Sequence, residues 1–245
     1  MMNQLVIDIG KSNKMFKVER PGNNIKDFYR SSMHLSEYIR YVITEKGQSV
    51  WIAQRNGRTK DGNDITDQGI IKMFCMSYPE DKIAALDQLH IVPIAVSYEW
   101  EPCDILKTLE LYESQFSKYT KKPGEDLNSI LTGIIQEKGR VHFELCEPIS
   151  HSELLKFEDL TNNEYHKHVA RLLDSRITQA YRLSPNNYIA YDLRYGTTKY
   201  NDCYTQEQKD VFLNRLHTLE QYDTCDIEKL KDIFLGIYST PVTNK

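Results

Sequence analysis

The chain has 245 residues, 40% of them hydrophobic and 27% charged, and its formal net charge at pH 7 is −4. The hydrophobic content is enough for a sizeable core, whereas the acidic balance and the lack of a dominant Lys/Arg run argue against nucleic-acid binding. No signal peptide and no run of about 18 apolar residues is present, so neither secretion nor a membrane-spanning helix is predicted. The five cysteines are scattered without a C-x-x-C pair, which is typical of reduced cytoplasmic thiols.

Residues 1–14 contain two motifs that are similar to phosphate loops. Gly10-Lys11-Ser12 has the ending of a P-loop, but that motif needs a glycine five residues before Gly10, where Leu5 stands. The run Ile7 to Gly10, followed by Ser12 and Asn13, resembles the first phosphate loop of actin-like sugar kinases. Nothing later in the chain resembles a second such loop, so a sugar kinase fragment is the lesser alternative.

A strand–helix–strand order is predicted for residues 15–54. Met15 to Arg20 has the pattern of a short strand, and Asn24 is placed to cap a helix from about Ile25 to Lys46. Ser49 to Gln54 is again strand-like. Such a crossover predicts parallel strands, and in a parallel sheet the loops after the strand ends form the binding site.

A loop with three cations follows the second of these strands. Arg55, Arg58 and Lys60 surround Gly57. Gly57 permits close approach of the backbone, and each guanidinium matches the geometry of phosphate oxygens. Because Arg20 follows the end of the first strand, the parallel topology predicts that Arg20 and this loop converge at one edge of the sheet. A solvent-exposed loop without a ligand is the alternative interpretation.

The rest of the chain predicts two further strands and several helices. Ile91 to Ser97 is mostly apolar, as expected for a central buried strand, and it leads into Tyr98 and Glu99. Thr161 and Glu164 form a capping box for a long helix. A second strand is predicted at residues 140–146, and other helices at residues 68–76, 81–89, 103–118, 126–137, 206–220 and 226–238.

Residues 16–20 (FKVER), 55–62 (RNGRTKDG) and 91–99 (IVPIAVSYE) resemble, in this order, three conserved blocks of the glycerolipid acyltransferases. These are the second block, Phe-x-x-x-Arg; the third, a strand followed by Glu-Gly-(Thr or Gly)-Arg-(Ser or Thr); and the fourth, Val-Pro-Val-x-Ile-Ser-Tyr-Glu. Asn56 stands where the superfamily usually has glutamate, which leaves the role of that position open.

The resemblance implies that basic and loop residues bind the phosphate of glycerol-3-phosphate or lysophosphatidate, and that the fourth block walls the acyl-donor side. The implied substrate-binding residues are Arg20, Arg55, Asn56, Gly57, Arg58, Thr59, Ser97 and Glu99.

The resemblance also implies a catalytic base, a histidine in a His-x4-Asp block that takes a proton from the glycerol hydroxyl. None of the seven histidines has aspartate five positions later. His142 with Glu147 is nearest, but strand geometry points these side chains to opposite faces, and His166 and His168 face apart on a helix. The simplest interpretation is a chain that begins after the dyad, so we predict no catalytic residue. The alternative is a non-catalytic phosphate- or lipid-binding protein with the same fold.

The sequence therefore predicts an α/β fold with a mostly parallel central sheet flanked by helices, N-terminally truncated. Residues 1–150 are expected to form a partial acyltransferase-like domain, and residues 151–245 a mainly helical extension packed on it. Expected partners are glycerol-3-phosphate or lysophosphatidate as acceptor and acyl-CoA or acyl carrier protein as donor, with no metal, other cofactor or nucleic acid. The expected location is cytoplasmic and peripheral to the inner face of the cell membrane, and this chain alone is expected not to transfer acyl groups.

Overall fold

The computed structural model describes residues 4–16, 18, 24–55, 57 and 59–245, and of residues 4–6 it describes the backbone only. The described residues are predominantly helical. In chain order the elements are α1 (Gln4–Ser12), α2 (Ile25–Thr44), α3 (Gln68–Met76), α4 (Lys82–Asp87), β1 (Ile94–Tyr98), α5 (Asp104–Ser114), α6 (Glu125–Ile135), β2 (Val141–Leu145), α7 (His151–Leu155), α8 (Asn162–Ala180), α9 (Pro185–Tyr195), α10 (Gln206–His217) and α11 (Ile227–Thr243).

Helix starts follow the polar residues that cap them. The predicted cap of α2 is confirmed, because Oδ1 of Asn24 accepts a hydrogen bond from the N–H of Lys26 at 3.0 Å. The capping box of α8 is confirmed as well: the N–H of Glu164 donates to Oγ1 of Thr161 at 3.4 Å, and that hydroxyl donates to the Glu164 carboxylate at 2.7 Å. The predicted helices at residues 25–46, 68–76, 81–89, 103–118, 126–137, 206–220 and 226–238 are all present, although several end earlier or later than predicted.

The prediction of a mostly parallel central sheet is wrong. β1 and β2 pair antiparallel, with Val96 opposite Phe143, and in the described part of the chain they form a two-stranded sheet. β1 is not a central buried strand, because Ala95 is fully buried whereas Val96 is 39% exposed. Alternating burial of this kind is typical of an antiparallel strand that is covered on one face.

Two of the predicted strands explain the error. Residues 49–53 are irregular, and Trp51 is 75% exposed. A strand needs a neighbour that accepts and donates its backbone hydrogen bonds, and no described strand pairs with this segment. Of the predicted strand Met15 to Arg20, residues 15, 16 and 18 are described and are not in a strand, and the others lie outside the described residues. The strand–helix–strand argument therefore has no structural basis.

The chain divides into two compact units. The first unit comprises Met1–Ala53, Asp67–Ile91 and Ile149–Val169, and the second comprises Gln54–Thr66, Val92–Pro148 and Ala170–Lys245. The predicted domain boundary at residue 150 stays a prediction. Among the described helices, none combines the length and the apolar composition needed to cross a bilayer.

In the first unit, α2 packs on α3, α3 on α4, and α4 on α7. Arg40 of α2 holds the ends of two of these helices, because its guanidinium donates to the carbonyl oxygens of Phe74 at 3.2 Å and Ala85 at 2.7 Å. The last carbonyls of a helix have no partner within the helix, so Arg40 satisfies groups that would otherwise need water. The most deeply buried large side chains of this unit are Ile71, Leu86, Leu154 and Tyr165.

In the second unit, α11 packs against α9 and α5 over an aromatic core. Phe212 and Phe234 are fully buried, and the ring of Trp100 stacks on Phe212 with centroids 5.8 Å apart. The carboxylate of Asp104 is buried beside this core, where it pairs with Arg215 at 2.6 Å and accepts a hydrogen bond from the Tyr238 hydroxyl at 2.9 Å. These partners compensate the cost of burying a charge.

Candidate functional site

The loop of residues 54–66, called here the anion loop, lies in the second unit and is fixed to two of its helices. Gly62 has φ of +76°, and a Cβ at this position would lie 2.4 Å from the carbonyl oxygen of Ile237 on α11, so only glycine fits. Lys60 forms an ion pair with Glu110 of α5. The Nδ2 of Asn244 donates to Oδ1 of Asn63 at 3.3 Å.

The C-terminal end of the anion loop is held by α8. The N–H and the hydroxyl of Thr66 both donate to Oδ1 of Asp174, at 2.8 and 2.5 Å. Burial raises the pKa of Asp174 above its ordinary value, and the two hydrogen bonds from Thr66 offset only part of that effect. The C-terminal half of the anion loop is therefore anchored, at residues 60, 62, 63 and 66.

The tip of the anion loop is open. Gly57 has φ of +80° and is exposed, and apart from its chain neighbours no atom of the described residues lies within 4 Å of the place where a Cβ would lie. Arg55 donates to the carbonyl oxygen of Asn63 at 3.2 Å, and Oγ1 of Thr59 donates to Asp64 at 2.5 Å. The predicted binding residues Asn56 and Arg58 lie outside the described residues. Among the described residues, nothing blocks the approach of a ligand to the backbone at Gly57.

The two predicted binding residues of the fourth block have protein partners. Ser97 is 4% exposed and lies opposite His142 in the sheet. Glu99 pairs with Arg140 through both carboxylate oxygens, at 3.1 and 3.2 Å. Burial alone would raise the pKa of Glu99, but the hydrogen bonds and the charge of Arg140 outweigh it and keep the pKa below its ordinary value. This carboxylate closes the end of the two-stranded sheet.

The structure brings the anion loop and the segment after β1 onto neighbouring residues of α11. Gly62 contacts Ile237, and the hydroxyl of the adjacent Tyr238 accepts a hydrogen bond from the N–H of Glu101 at 3.1 Å. The side chain of Asn186 on α9 donates to the carbonyl oxygen of Glu99 at 2.7 Å. The predicted site residues therefore belong to two segments that are both supported by α11. The first segment contains Arg55, Gly57 and Thr59, and the second contains Ser97 and Glu99.

Residues on α5 and directly after α8 that were not predicted as site residues add polar groups to this region. Lys107 is 12% exposed at its side chain and pairs with Glu101 at 3.0 Å. It lies three residues before Glu110, the partner of Lys60, so both ion pairs lie on one face of α5. Burial, and then the charge of Glu101, raises the pKa of Tyr181 to about 12. In sequence, Lys107 cannot be distinguished from other helical lysines, and only the structure shows that it lies in this region.

Helix α9, which contributes Asn186, was not predicted, although its start signal is present. Ser184 and Asn187 form a capping box, with the Ser184 hydroxyl donating to Oδ1 of Asn187 at 2.9 Å, and Pro185 occupies the first turn. A serine followed directly by proline is a common helix start as well as a common break.

The predicted convergence of Arg20 with the anion loop has lost its structural argument. It depended on two parallel strands that end at the same edge, and those strands are not formed by the described residues. Arg20 itself lies outside the described residues. The motif at Gly10 to Ser12 lies within α1, where a helical backbone does not present the ring of N–H groups that a phosphate loop provides.

Two histidines pair with carboxylates in the structure. His142 contacts Glu144 at 3.0 Å on the same face of β2, whereas the sequence drew attention to Glu147. In the first unit, Nδ1 of His151 lies 3.1 Å from Oδ2 of Asp87. These two residues are 64 positions apart in sequence, so a search for His-x4-Asp does not find them. The His151 side chain is 56% exposed, and a dyad needs a closed site to act on a bound hydroxyl.

Within residues 4–16, 18, 24–55, 57 and 59–245, no three side chains of the types that bind metal ions come together. The region around the anion loop therefore offers cations and backbone groups. This combination suits binding of an anion.

The chain matches no protein-family model, no curated protein and no solved structure at a significant level, so the resemblance to the glycerolipid acyltransferases stays a prediction.

Proposed function

We propose that this chain is related to the glycerolipid acyltransferases and binds the phosphate headgroup of glycerol-3-phosphate or lysophosphatidate through residues 55–60 of the anion loop. The observation that carries the proposal is the exposed Gly57 on a loop whose C-terminal half is anchored. Anchoring restricts the loop before a ligand binds and so lowers the entropic cost of binding, and a glycine with positive φ allows the ligand to approach the backbone N–H groups.

The cations near the tip fit a phosphate dianion. Arg55 has five N–H donors, and its hydrogen bond to Asn63 uses one of them. Arg58 follows Gly57 directly in sequence. Lys60 already has a carboxylate partner in Glu110, so we assign it to holding the loop and assign Arg55 and Arg58 to the ligand.

We further propose that the chain alone does not transfer acyl groups. No His-x4-Asp pattern occurs in its sequence. A headgroup hydroxyl bound at Gly57 then lacks a group that takes its proton as it attacks the thioester of acyl-CoA or acyl carrier protein. The proposed location is peripheral to the inner face of the cell membrane, where lysophosphatidate is presented.

A non-catalytic phosphate- or lipid-binding protein is the second candidate, and the state of Glu99 favours it. In the resemblance this glutamate belongs to the acyl-donor side. Here its carboxylate pairs with Arg140, and its carbonyl oxygen accepts a hydrogen bond from Asn186, so it has a structural role. Under this candidate the fourth block supports the sheet and no acyl donor binds.

Isothermal titration with glycerol-3-phosphate tests headgroup binding. We expect saturable binding that Arg55→Ala and Arg58→Ala each weaken about tenfold, since a charge-assisted hydrogen bond contributes about 1.5–3 kcal/mol. Arg182→Ala is the matched control, because Arg182 is an exposed arginine of the same unit that is not one of residues 54–66. Equal binding by all three variants would refute the assignment to residues 55–60.

Acyl transfer distinguishes the two candidates. The purified chain is incubated with labelled acyl-CoA and lysophosphatidate, and labelled phosphatidate is measured. We expect none. Binding of acyl-CoA without transfer supports the acyltransferase relationship, absence of donor binding supports the non-catalytic candidate, and robust transfer contradicts the proposal that the chain lacks a base.

A further inference from the structure

β2 exposes its apolar side chains. Val141, Phe143 and Leu145 alternate along the strand and are 53%, 60% and 65% exposed, and Val96, opposite Phe143 on β1, is 39% exposed. The polar residues between them, His142 and Glu144, lie on the face on which Ala95 and Ser97 are buried. An antiparallel sheet ordinarily turns its apolar face to the protein core, whereas the apolar face of this sheet is not covered by any described element.

The outer edge of β2 is also open. The N–H of Glu99 bonds to the carbonyl of Arg140, and the N–H of Cys146 bonds to that of Pro93. Hydrogen-bonded and non-hydrogen-bonded pairs alternate along an antiparallel ladder. The backbone groups of Val141, Phe143 and Leu145 therefore point away from β1, and no described residue forms a backbone hydrogen bond with them. An edge of this kind is a template for another strand.

The sequence of β2 is complementary to itself in the antiparallel direction. With a two-fold axis at Phe143, Val141 lies opposite Leu145 of a second copy, and His142 lies opposite Glu144 of that copy. The apolar side chains of both copies then share one face, and each histidine meets a carboxylate on the other face. In this register, the outward backbone groups of residues 141, 143 and 145 form the hydrogen bonds between the two copies. The register that the side chains favour is therefore also the one that the backbone groups can form.

We propose that two copies of this chain associate through antiparallel pairing of β2 with β2, which makes a four-stranded sheet in the order β1-β2-β2-β1. The pairing satisfies the outward backbone groups of Val141, Phe143 and Leu145 and places their apolar side chains beside those of the second copy. A lipid surface is a less suitable partner for this edge, because the acyl chains of a bilayer offer no hydrogen-bond partner to a strand. The proposed dimer is independent of the proposed headgroup binding.

Sedimentation of the full chain over a range of concentrations tests the proposal. We expect a monomer–dimer equilibrium that Phe143→Lys weakens tenfold or more, because two lysines then face each other across the axis. Ile134→Lys is the matched control, since Ile134 on α6 is 69% exposed and lies outside β2. Circular dichroism verifies that both variants are folded.

Charge exchange tests the register. Glu144→Lys places a cation opposite His142 of the other copy and is expected to weaken the dimer, whereas adding His142→Glu to it restores an opposite-charge pair and the association. As a second measurement, Phe143→Cys in a Cys203→Ser background is expected to form an intermolecular disulfide under mild oxidation. Residues opposite each other in a hydrogen-bonded pair have Cα atoms about 5.5 Å apart, within disulfide range.

A chain that stays monomeric at all concentrations overturns the proposal. So does a dimer that Phe143→Lys leaves intact and Ile134→Lys dissociates, since α6 is then the interface. Binding of the monomer to phospholipid vesicles, lost in Phe143→Lys, overturns it as well and identifies a membrane as the cover of this face.

Discussion

The aromatic core of the second unit and the segment from α6 to β2 have similar sequence patterns and opposite burial. In α11, Leu230 and Phe234 recur at helical spacing and are fully buried. In α6, Ile130 and Ile134 recur at the same spacing and are 55% and 69% exposed. The side of α6 that faces the protein carries Ser129, whose carbonyl oxygen accepts a hydrogen bond from the thiol of Cys103.

This difference shows what periodicity determines. Spacing decides which residues share a face of a helix or strand, because side-chain direction follows from backbone geometry. Whether that face is buried depends on a partner element, and the sequence of the helix itself does not contain that information. The apolar side chains that α6 and β2 expose are not covered by any described element, whereas the apolar faces of α11 and α9 meet within the unit.

Truncation of one phenylalanine in each region gives the largest expected difference. Phe234→Ala removes a fully buried ring and is expected to lower the free energy of unfolding by about 3–5 kcal/mol. Phe143→Ala, at a residue that is 60% exposed, is expected to change it by no more than about 0.5 kcal/mol in the monomer. Urea unfolding at low protein concentration measures both. A large effect of Phe143→Ala there would show that β2 is already covered within one chain.

The helices were predictable because their signals are local. Asn24, Thr161 and Glu164 satisfy the first backbone N–H groups of their own helices, so a few neighbouring residues decide where each helix begins. The sheet was not predictable in this way. Ser49 to Ala53 has strand composition, but a strand forms only against another strand, and its partner is a property of the whole fold.

The candidate site likewise has a part that the sequence predicts and a part that only the structure shows. The glycine and arginines of the anion loop are visible in the sequence as a motif. Its supports, Glu110, Asp174 and Ile237, lie on α5, α8 and α11, far from the loop along the chain, and only tertiary packing brings them to it. The sequence predicts Arg20 as the neighbour of the anion loop, whereas the structure shows these supports beside it. This is the main difference between the predicted site and the observed one.

Two glycines of the anion loop both have positive φ, but only Gly62 also lacks space for a Cβ. Gly62→Ala is expected to destabilise the fold by about 3 kcal/mol, because it adds a collision with Ile237 to the cost of a positive φ. Gly57→Ala has only the cost of a positive φ, about 1 kcal/mol, since its surroundings are open. Thermal unfolding of both variants measures the difference. Equal losses would indicate that α11 yields to a Cβ and that the loop is not rigidly anchored.

The smallest expected effect concerns the ion pair that closes the sheet. Because the pKa of Glu99 is held below its ordinary value, its pairing with Arg140 stabilises the fold above the unfolded pKa of about 4.3. That contribution is lost as the pH falls through the lower pKa of the folded state. Arg140 is 70% exposed, so we expect only about 0.5 kcal/mol.

Glu99→Gln tests this contribution. The difference in unfolding free energy between the wild type and Glu99→Gln is expected at pH 7 and should shrink below about pH 4, where the wild-type carboxylate becomes protonated as well. Urea unfolding across this pH range measures it, and groups other than Glu99 cancel between the two proteins. A difference that persists unchanged at low pH would mean that Glu99 stabilises the sheet through packing, because its charge is then absent.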